Sequence, residues 1–268
     1  MNKLGRPFIG IILWEVVHLK KLKLRRTFSV FLSAIFVFSI GFLYFIFLSE
    51  RKNFPVSAQI KPFGSETVVI DAGHGGEDGG AVSISGAIES HLNLSIAQRL
   101  DSILGLYGVN SMLLRNSDIS LHSSGAQTIR EKKVSDLHNR VNIIESLDDC
   151  IVISIHQNAF TDSKYHGAQV FYANGELSLP LAQITQDVLR KNLDPENTRK
   201  PTAVPTSVYL MNHITCKAIL VECGFLSNPE EDVLLQSPEY QTKLAASLAG
   251  AYIQYKQITR EGESMNAS

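Results

Sequence analysis

The sequence predicts an α/β fold: a single domain with a twisted, mostly parallel sheet flanked by helices on both faces, preceded by one transmembrane helix. Three observations predict it. Nearly continuous apolar runs such as Cys150-Ile-Val-Ile-Ser-Ile155 and Ala218-Ile-Leu-Val221 read as strands buried on both faces, the pattern of parallel pairing. Segments of helical spacing stand between such runs, as crossover connections require. Ahead of both, Phe28 to Leu48 carries no charge at all.

That uncharged run comes first in the chain. Its twenty-one residues would reach roughly 30 Å as a helix, the thickness of a bilayer's hydrocarbon region. Lys20, Lys21, Lys23, Arg25 and Arg26 precede it, a flank that favours the cytoplasmic side. Residues 1–27 are therefore read as a basic cytoplasmic segment, and 28–48 as a transmembrane helix or uncleaved signal anchor. A cleaved signal is the competing reading, but no small-x-small site follows, only Leu48-Ser-Glu-Arg-Lys52. The apolar patch Phe8 to Trp14 is too short to span and stops at Glu15. On this topology everything after Glu50 lies outside the cytoplasmic membrane, anchored through Phe28 to Leu48.

Residues 49–63, with Pro55 and Pro62, read as a linker. A domain over 64–258 follows, long enough for one hydrophobic core, and 259–268 reads as a polar tail. Within the domain Thr67-Val-Val-Ile70 is the first strand and runs into the glycine-rich turn Gly73 to Gly80. Leu92, Ile96, Leu100, Ile103 and Leu104 keep one face of a helix expected to begin near Asn93 and to end near Gly105 and Gly108. Val109 to Leu114 is a strand, Ser117 to Lys133 a polar surface loop, and Val134 to Leu147 a helix on the spacing of Leu137, Val141, Ile144 and Leu147. Cys150 to Ile155 and Ala168 to Tyr172 are strands, Pro180 to Leu193 a helix, Ala218 to Val221 the last strand and Tyr240 to Tyr255 the last helix.

A formal charge of −1 gives no sign of a nucleic-acid partner. Cys150, Cys216 and Cys223 cannot form a complete disulfide set and lack the close spacing of a thiolate zinc cluster, so they read as buried thiols.

The polar residues at the strand ends carry the chemistry. In open α/β sheets the loops at the carboxyl ends of strands form the ligand crevice, and His74, His156 and Glu222 all fall there. His74, Glu89 and His156 would make a mixed nitrogen and oxygen site for Zn2+ with a position left for water, while Glu222 is free to act as a base. That set points to a zinc hydrolase. Plainer readings exist for each residue. His74 could cap a backbone carbonyl in a glycine turn, and such turns also cradle phosphates, although no P-loop lysine or dinucleotide spacing follows. His156 could be a satisfied core residue and Glu222 a buried partner of Arg115 or Arg140. A carboxylate directly after Ala-Ile-Leu-Val is costly unless paired or functional. A glycosidase would use the pair Glu89 and Glu222 but leave both histidines without a role.

In order along the chain, Asp71-Ala-Gly-His-Gly-Gly-Glu-Asp-Gly-Gly-Ala81, Glu89 with Asn93-Leu94, Leu114-Arg115 with Asp118, Arg140, Ser154-Ile-His-Gln-Asn-Ala159 and Val221-Glu-Cys-Gly-Phe-Leu-Ser-Asn228 resemble the zinc-dependent N-acetylmuramoyl-L-alanine amidases of the AmiC/LytC type. The resemblance covers about Thr67 to Tyr255. It implies His74, Glu89 and His156 as zinc ligands, Glu222 as the catalytic glutamate and Arg115, Arg140 and Asn158 as supporting residues. It also implies peptidoglycan as substrate, cut at the amide between the D-lactyl group of N-acetylmuramic acid and L-alanine. Gly167-Ala-Gln-Val-Phe-Tyr172, Asn192-Leu through Thr198-Arg-Lys200 and Val208-Tyr-Leu-Met211 are similar to the germination-specific branch of endospore formers. That likeness implies action on spore cortex in the forespore–mother cell intermembrane space, with a partner peptidoglycan deacetylase completing muramic δ-lactam. The alternatives are a general vegetative turnover or separation amidase, or a catalytically silent wall-binding sensor. Two departures stand out, the residues before the uncharged run and Gln157 after His156, and neither touches an implied ligand.

Overall fold

The computed structural model describes residues 65–266. Six strands form one sheet in the order β2-β1-β3-β6-β4-β5. They are β1 (Thr67–Ala72), β2 (Ser111–Leu113), β3 (Cys150–Asn158), β4 (Gln169–Tyr172), β5 (Thr202–Ala203) and β6 (Lys217–Phe225). β2, β1, β3 and β6 are parallel, β4 runs antiparallel to β6, and β5 is parallel to β4. The α/β class and the mostly parallel sheet agree with the sequence expectation.

Alternation along the central strands divides the core into two layers. Val68, Ile70 and Ala72 of β1, Ile151, Ile153 and Ile155 of β3, and Ile219, Val221 and Cys223 of β6 face one side. There they meet helices α1 (Glu89–Leu106), α3 (Leu179–Leu193) and α6 (Pro238–Asn266). Val69, Cys150, Val152, Ala218 and Leu220 face the other side, against α2 (Ile129–Glu145) and the single turn α4 (Tyr209–Asn212). With a side-chain period of two, Asp71, Ser154, His156 and Glu222 continue this second set beyond its apolar part. The polar groups are thus gathered on one face, at the carboxyl ends of three adjacent strands.

Several boundaries differ from the sequence expectation. α1 starts at Glu89 rather than near Asn93, because the Glu89 amide donates to the Ala81 carbonyl at 2.9 Å and the Glu89 carboxylate accepts the Ala81 amide at 2.8 Å. A carboxylate in the first turn also suits the positive end of the helix dipole. α2 begins at Ile129, inside the stretch read as a loop, on a capping box of Thr128 and Glu131. α5 (Pro229–Gln236) has no counterpart in the sequence expectation; Asn228 caps it and Pro229 opens it. α6 continues through the stretch read as a polar tail, to Asn266.

The membrane reading needs correction. Among the described residues no helix is long and apolar enough to cross a membrane. α1 and α6 are long enough, at 18 and 29 residues, but both carry charged side chains along their length. Phe28 to Leu48 lies outside the described residues. The described fold is therefore an α/β domain without a transmembrane helix, and it offers no element on which a membrane partner or a membrane-anchored location could rest.

Candidate active site

His74 leaves β1 in the turn Gly73 to Gly80, with a left-handed φ of 60°. A non-glycine residue there is uncommon and persists when its surroundings hold it. Two buried arginines do so. Arg140 on α2 donates through Nη2 to the His74 carbonyl at 2.9 Å and through Nη1 to the Ala72 carbonyl at 3.1 Å. Arg115 donates through Nε to the Ala72 carbonyl at 2.8 Å and through Nη2 to the carbonyls of Gly73 and Ser90 at 3.1 and 2.8 Å. Arg140 is itself fixed by Asp71 and by Asp136, the latter at 2.7 Å, while Ser154 donates to Asp71 at 2.6 Å. The arginines therefore hold the turn, and neither is paired with Glu222.

Glu89 is 3 % exposed and lies between two imidazoles. Its Oε1 is 3.4 Å from His74 Nε2 and 3.1 Å from His156 Nδ1. The three candidate ligand atoms all lie within 4.8 Å of one another. Groups outside the triad orient two of the donors, His74 and Glu89. Asp78 Oδ2 sits 3.0 Å from His74 Nδ1, which places the proton on Nδ1 and leaves Nε2 as the free donor. Glu89 Oε1 accepts from the Asn93 amide group at 3.3 Å and from the Gln157 backbone at 3.2 Å, so Gln157, expected from the sequence to lie clear of the ligands, touches one of them. Gln157 in turn donates to Asn93 at 3.1 Å. Two glycines leave room for this packing. A Cβ at Gly73 would meet the His156 ring at 2.2 Å, and one at Gly80 would meet Glu89 Oε2 at 2.5 Å.

The charge distribution favours a cation. Burial alone would lower the His74 pKa, but the hydrogen bonds to Asp78 and Glu89, with the charges of both acids, raise it to about 9. Burial likewise opposes ionisation of Glu89, yet the hydrogen bonds from His156 and His74 hold it well below the usual carboxylate range. A buried carboxylate flanked by two convergent imidazoles, with His74 oriented by Asp78 and Glu89 by Asn93 and the Gln157 backbone, fits a metal cation that takes nitrogen and oxygen ligands.

Glu222 stands apart. It pairs in register with His156 across β3 and β6 and lines the same cleft as His74 and His156. Although the residue keeps some exposure, its Oε2 is shielded from solvent and has no hydrogen-bond partner. Burial, with Glu89 adding repulsion and His156 and His74 opposing, pushes its carboxyl up to about 7. A carboxyl group near neutrality beside a cation site is suited to taking and returning a proton. The cleft has a volume of about 250 Å³ and is walled by Leu137 and Lys133 of α2 and by Tyr209 and Met211 of α4.

The structure thus brings together His74, Glu89, His156 and Glu222. Arg115 and Arg140 lie one layer behind, under the turn. Asn158 contributes its carbonyl, which accepts the Leu226 amide at 2.7 Å where the β3–β6 register shifts. Sequence reasoning missed Asp78 as the partner of His74; its signal was a carboxylate four residues on, inside the same glycine-rich turn. Asp71 and Ser154 were also missed, although a polar residue at the same step of two neighbouring apolar strands marks a shared buried network.

Comparison with known proteins is consistent with this geometry. Residues 68–254 match the family described as N-acetylmuramoyl-L-alanine amidase. The germination-specific N-acetylmuramoyl-L-alanine amidase of Bacillus subtilis is 35% identical over 233 residues, covering 84% of this chain and 95% of that protein. Among solved structures, the CwlD amidase from Clostridioides difficile, in complex with the GerS lipoprotein, superposes with a TM-score of 0.69 at 35% identity, covering 72% of this chain and 99% of that one. The amidase AmiC2 of Nostoc punctiforme gives a TM-score of 0.61 at 30% identity, over 72% of this chain and 98% of its own.

Proposed function

The chain belongs to the N-acetylmuramoyl-L-alanine amidase family, and from that premise we propose that His74, Glu89 and His156 hold zinc and that Glu222 is the catalytic base and acid. The bond cut is the amide between the D-lactyl group of N-acetylmuramic acid and L-alanine in peptidoglycan. The observation that carries the assignment of Glu222 is its Oε2, shielded and without a hydrogen-bond partner, in the cleft shared with His74 and His156.

When bound, zinc supplies a water of lowered pKa and a charge that polarises the substrate carbonyl. The protein's own groups do the rest. Glu222 accepts the proton of the attacking water and returns it to the departing alanine nitrogen, a cycle that a carboxyl group with a pKa raised by burial performs in both directions. Asp78 keeps His74 in one tautomer, Asn93 and Gln157 keep Glu89 aimed, and the two arginines keep the turn from relaxing. No covalent enzyme intermediate is needed, so Cys223 beside Glu222 has no nucleophilic task. Incubation of the purified protein with peptidoglycan tests the reaction: new L-alanine amino termini should appear without new reducing ends. Release of reducing sugars alone would overturn it.

The finer proposal concerns the biological substrate. The B. subtilis relative is named germination-specific, and the match covers 84% of this chain and 95% of that protein. This supports action on spore cortex, where removal of stem peptides precedes formation of muramic δ-lactam. Muropeptide analysis of spores from a deletion strain is the test, and absence of δ-lactam is the expected result. Normal δ-lactam with unseparated vegetative cells would instead assign the enzyme to general wall turnover.

A further inference from the structure

We propose that Cys150 and Cys216 form a disulfide that ties the amino-terminal ends of β3 and β6 together. Ile151 of β3 pairs in register with Lys217 of β6, so the residues just before them, Cys150 and Cys216, stand opposite one another on adjacent strands. Neighbouring strands lie about 4.8 Å apart, and a disulfide spans Cα separations of roughly 4.4 to 6.8 Å. Both side chains pack in the same apolar cluster, on the sheet face covered by α2 and α4. Both also line one cavity of about 200 Å³, together with Leu177 and Thr215. The two thiols lie close enough to influence each other's ionisation. Cys150 is 5 % exposed while Cys216 is only partly covered, so an oxidant can enter through Cys216. Cys223 faces the other side of the sheet and is fully buried, which leaves it out of the pair.

The oxidant is a small-molecule disulfide of the glutathione class. The Cys216 thiol loses its proton and attacks one oxidant sulfur, releasing the first thiol and leaving a mixed disulfide. Cys150, losing its proton in turn, attacks the Cys216 sulfur and expels the second thiol. The cysteine pair loses two electrons, and the oxidant becomes two thiols. Burial, then the contact with Cys150 and the charge of Glu145, push the Cys216 thiol well above its ordinary value. The exchange is therefore slow, as suits a structural staple rather than a rapid sensor. What it secures are the strands that carry His156 and Glu222, pinned at the ends remote from them.

The full chain, equilibrated with oxidised glutathione and then denatured and alkylated with N-ethylmaleimide, should carry a single maleimide adduct and, apart from it, be two hydrogens lighter than the reduced chain. Its non-reduced digest should contain a peptide linked through Cys150 and Cys216, with Cys223 alkylated. Relative to protein kept in dithiothreitol, Tm should rise by roughly 5 to 10 °C. Cys216→Ser, at a partly exposed position, should fold and show no rise. Three alkylated cysteines after equilibration, glutathione retained on Cys216 as the end product, or a Tm rise that survives in Cys216→Ser would each overturn the assignment.

Discussion

At the scale of the residue, the site separates groups that would hold a cation from one that would move a proton. His74, Glu89 and His156 are each oriented by hydrogen bonds, whereas Glu222 Oε2 has none. Glu222→Gln keeps the shape but cannot accept a proton, so kcat should fall about 10²- to 10⁴-fold while zinc stays stoichiometric by elemental analysis. His74→Ala removes a donor and should lose both metal and activity, as should prolonged chelation of the intact protein. Loss of zinc in Glu222→Gln would show that Glu222 belongs to the metal shell instead. Residue types at strand ends make His74, His156 and Glu222 legible in the sequence alone, and Glu89 stands where a helix begins. Their partners are less so. Asp78, Asn93 and Gln157 are ordinary polar residues whose importance comes from what stands opposite them in space, which spacing along the chain does not reveal.

At the scale of the element, strands are more legible in the sequence than helix ends. β1, β3 and β6 are apolar runs buried on both faces, a pattern that survives without tertiary information. Where a helix starts depends on which side chain satisfies its first amides. In α2 the apolar spacing points to Val134, but Thr128 accepts the Glu131 amide at 3.2 Å and Glu131 accepts the Thr128 amide at 3.0 Å. That box adds more than a turn to the helix. The extension matters for the cleft, because Lys132 and Lys133 ride on it and pair with Glu77 and Asp78 of the glycine-rich turn. Thr128→Ala should cost about 1 kcal/mol, seen as a lower urea midpoint at unchanged m-value. A larger increase in KM than in kcat loss would indicate that fraying reaches the Lys133 wall of the cleft, whereas an unchanged midpoint would mean the cap carries no stability here.

At the scale of the whole molecule, the buried network of Asp71, Arg140, Asp136 and Ser154 joins β1, α2 and β3 directly beneath the His74 turn. It couples stability to the integrity of the site, and it gives that stability a pH dependence whose sign can be worked out. Burial would raise the Asp71 pKa, but the Arg140 charge, then His156 and the hydrogen bonds from Ser154 and Arg140, outweigh it and hold the carboxyl below its ordinary value. In the unfolded chain Asp71 titrates near about 3.9. As pH falls below that value the unfolded state takes up a proton that the folded state resists. The contribution is therefore fully present above the ordinary carboxylate range and is lost as pH falls through it toward the lowered folded value. Urea midpoints measured from pH 7 down to about 3 should be flat at first and then drop. Asp71→Asn leaves Arg140 with Asp136 but removes its other charged partner, a loss on the order of 3 kcal/mol for a buried pair. In that variant the midpoint at neutral pH should be lower and the acid drop shallower. If the variant instead falls as steeply with acid as the native protein, another carboxylate governs acid unfolding, and the network beneath His74 holds the turn without setting the stability of the domain.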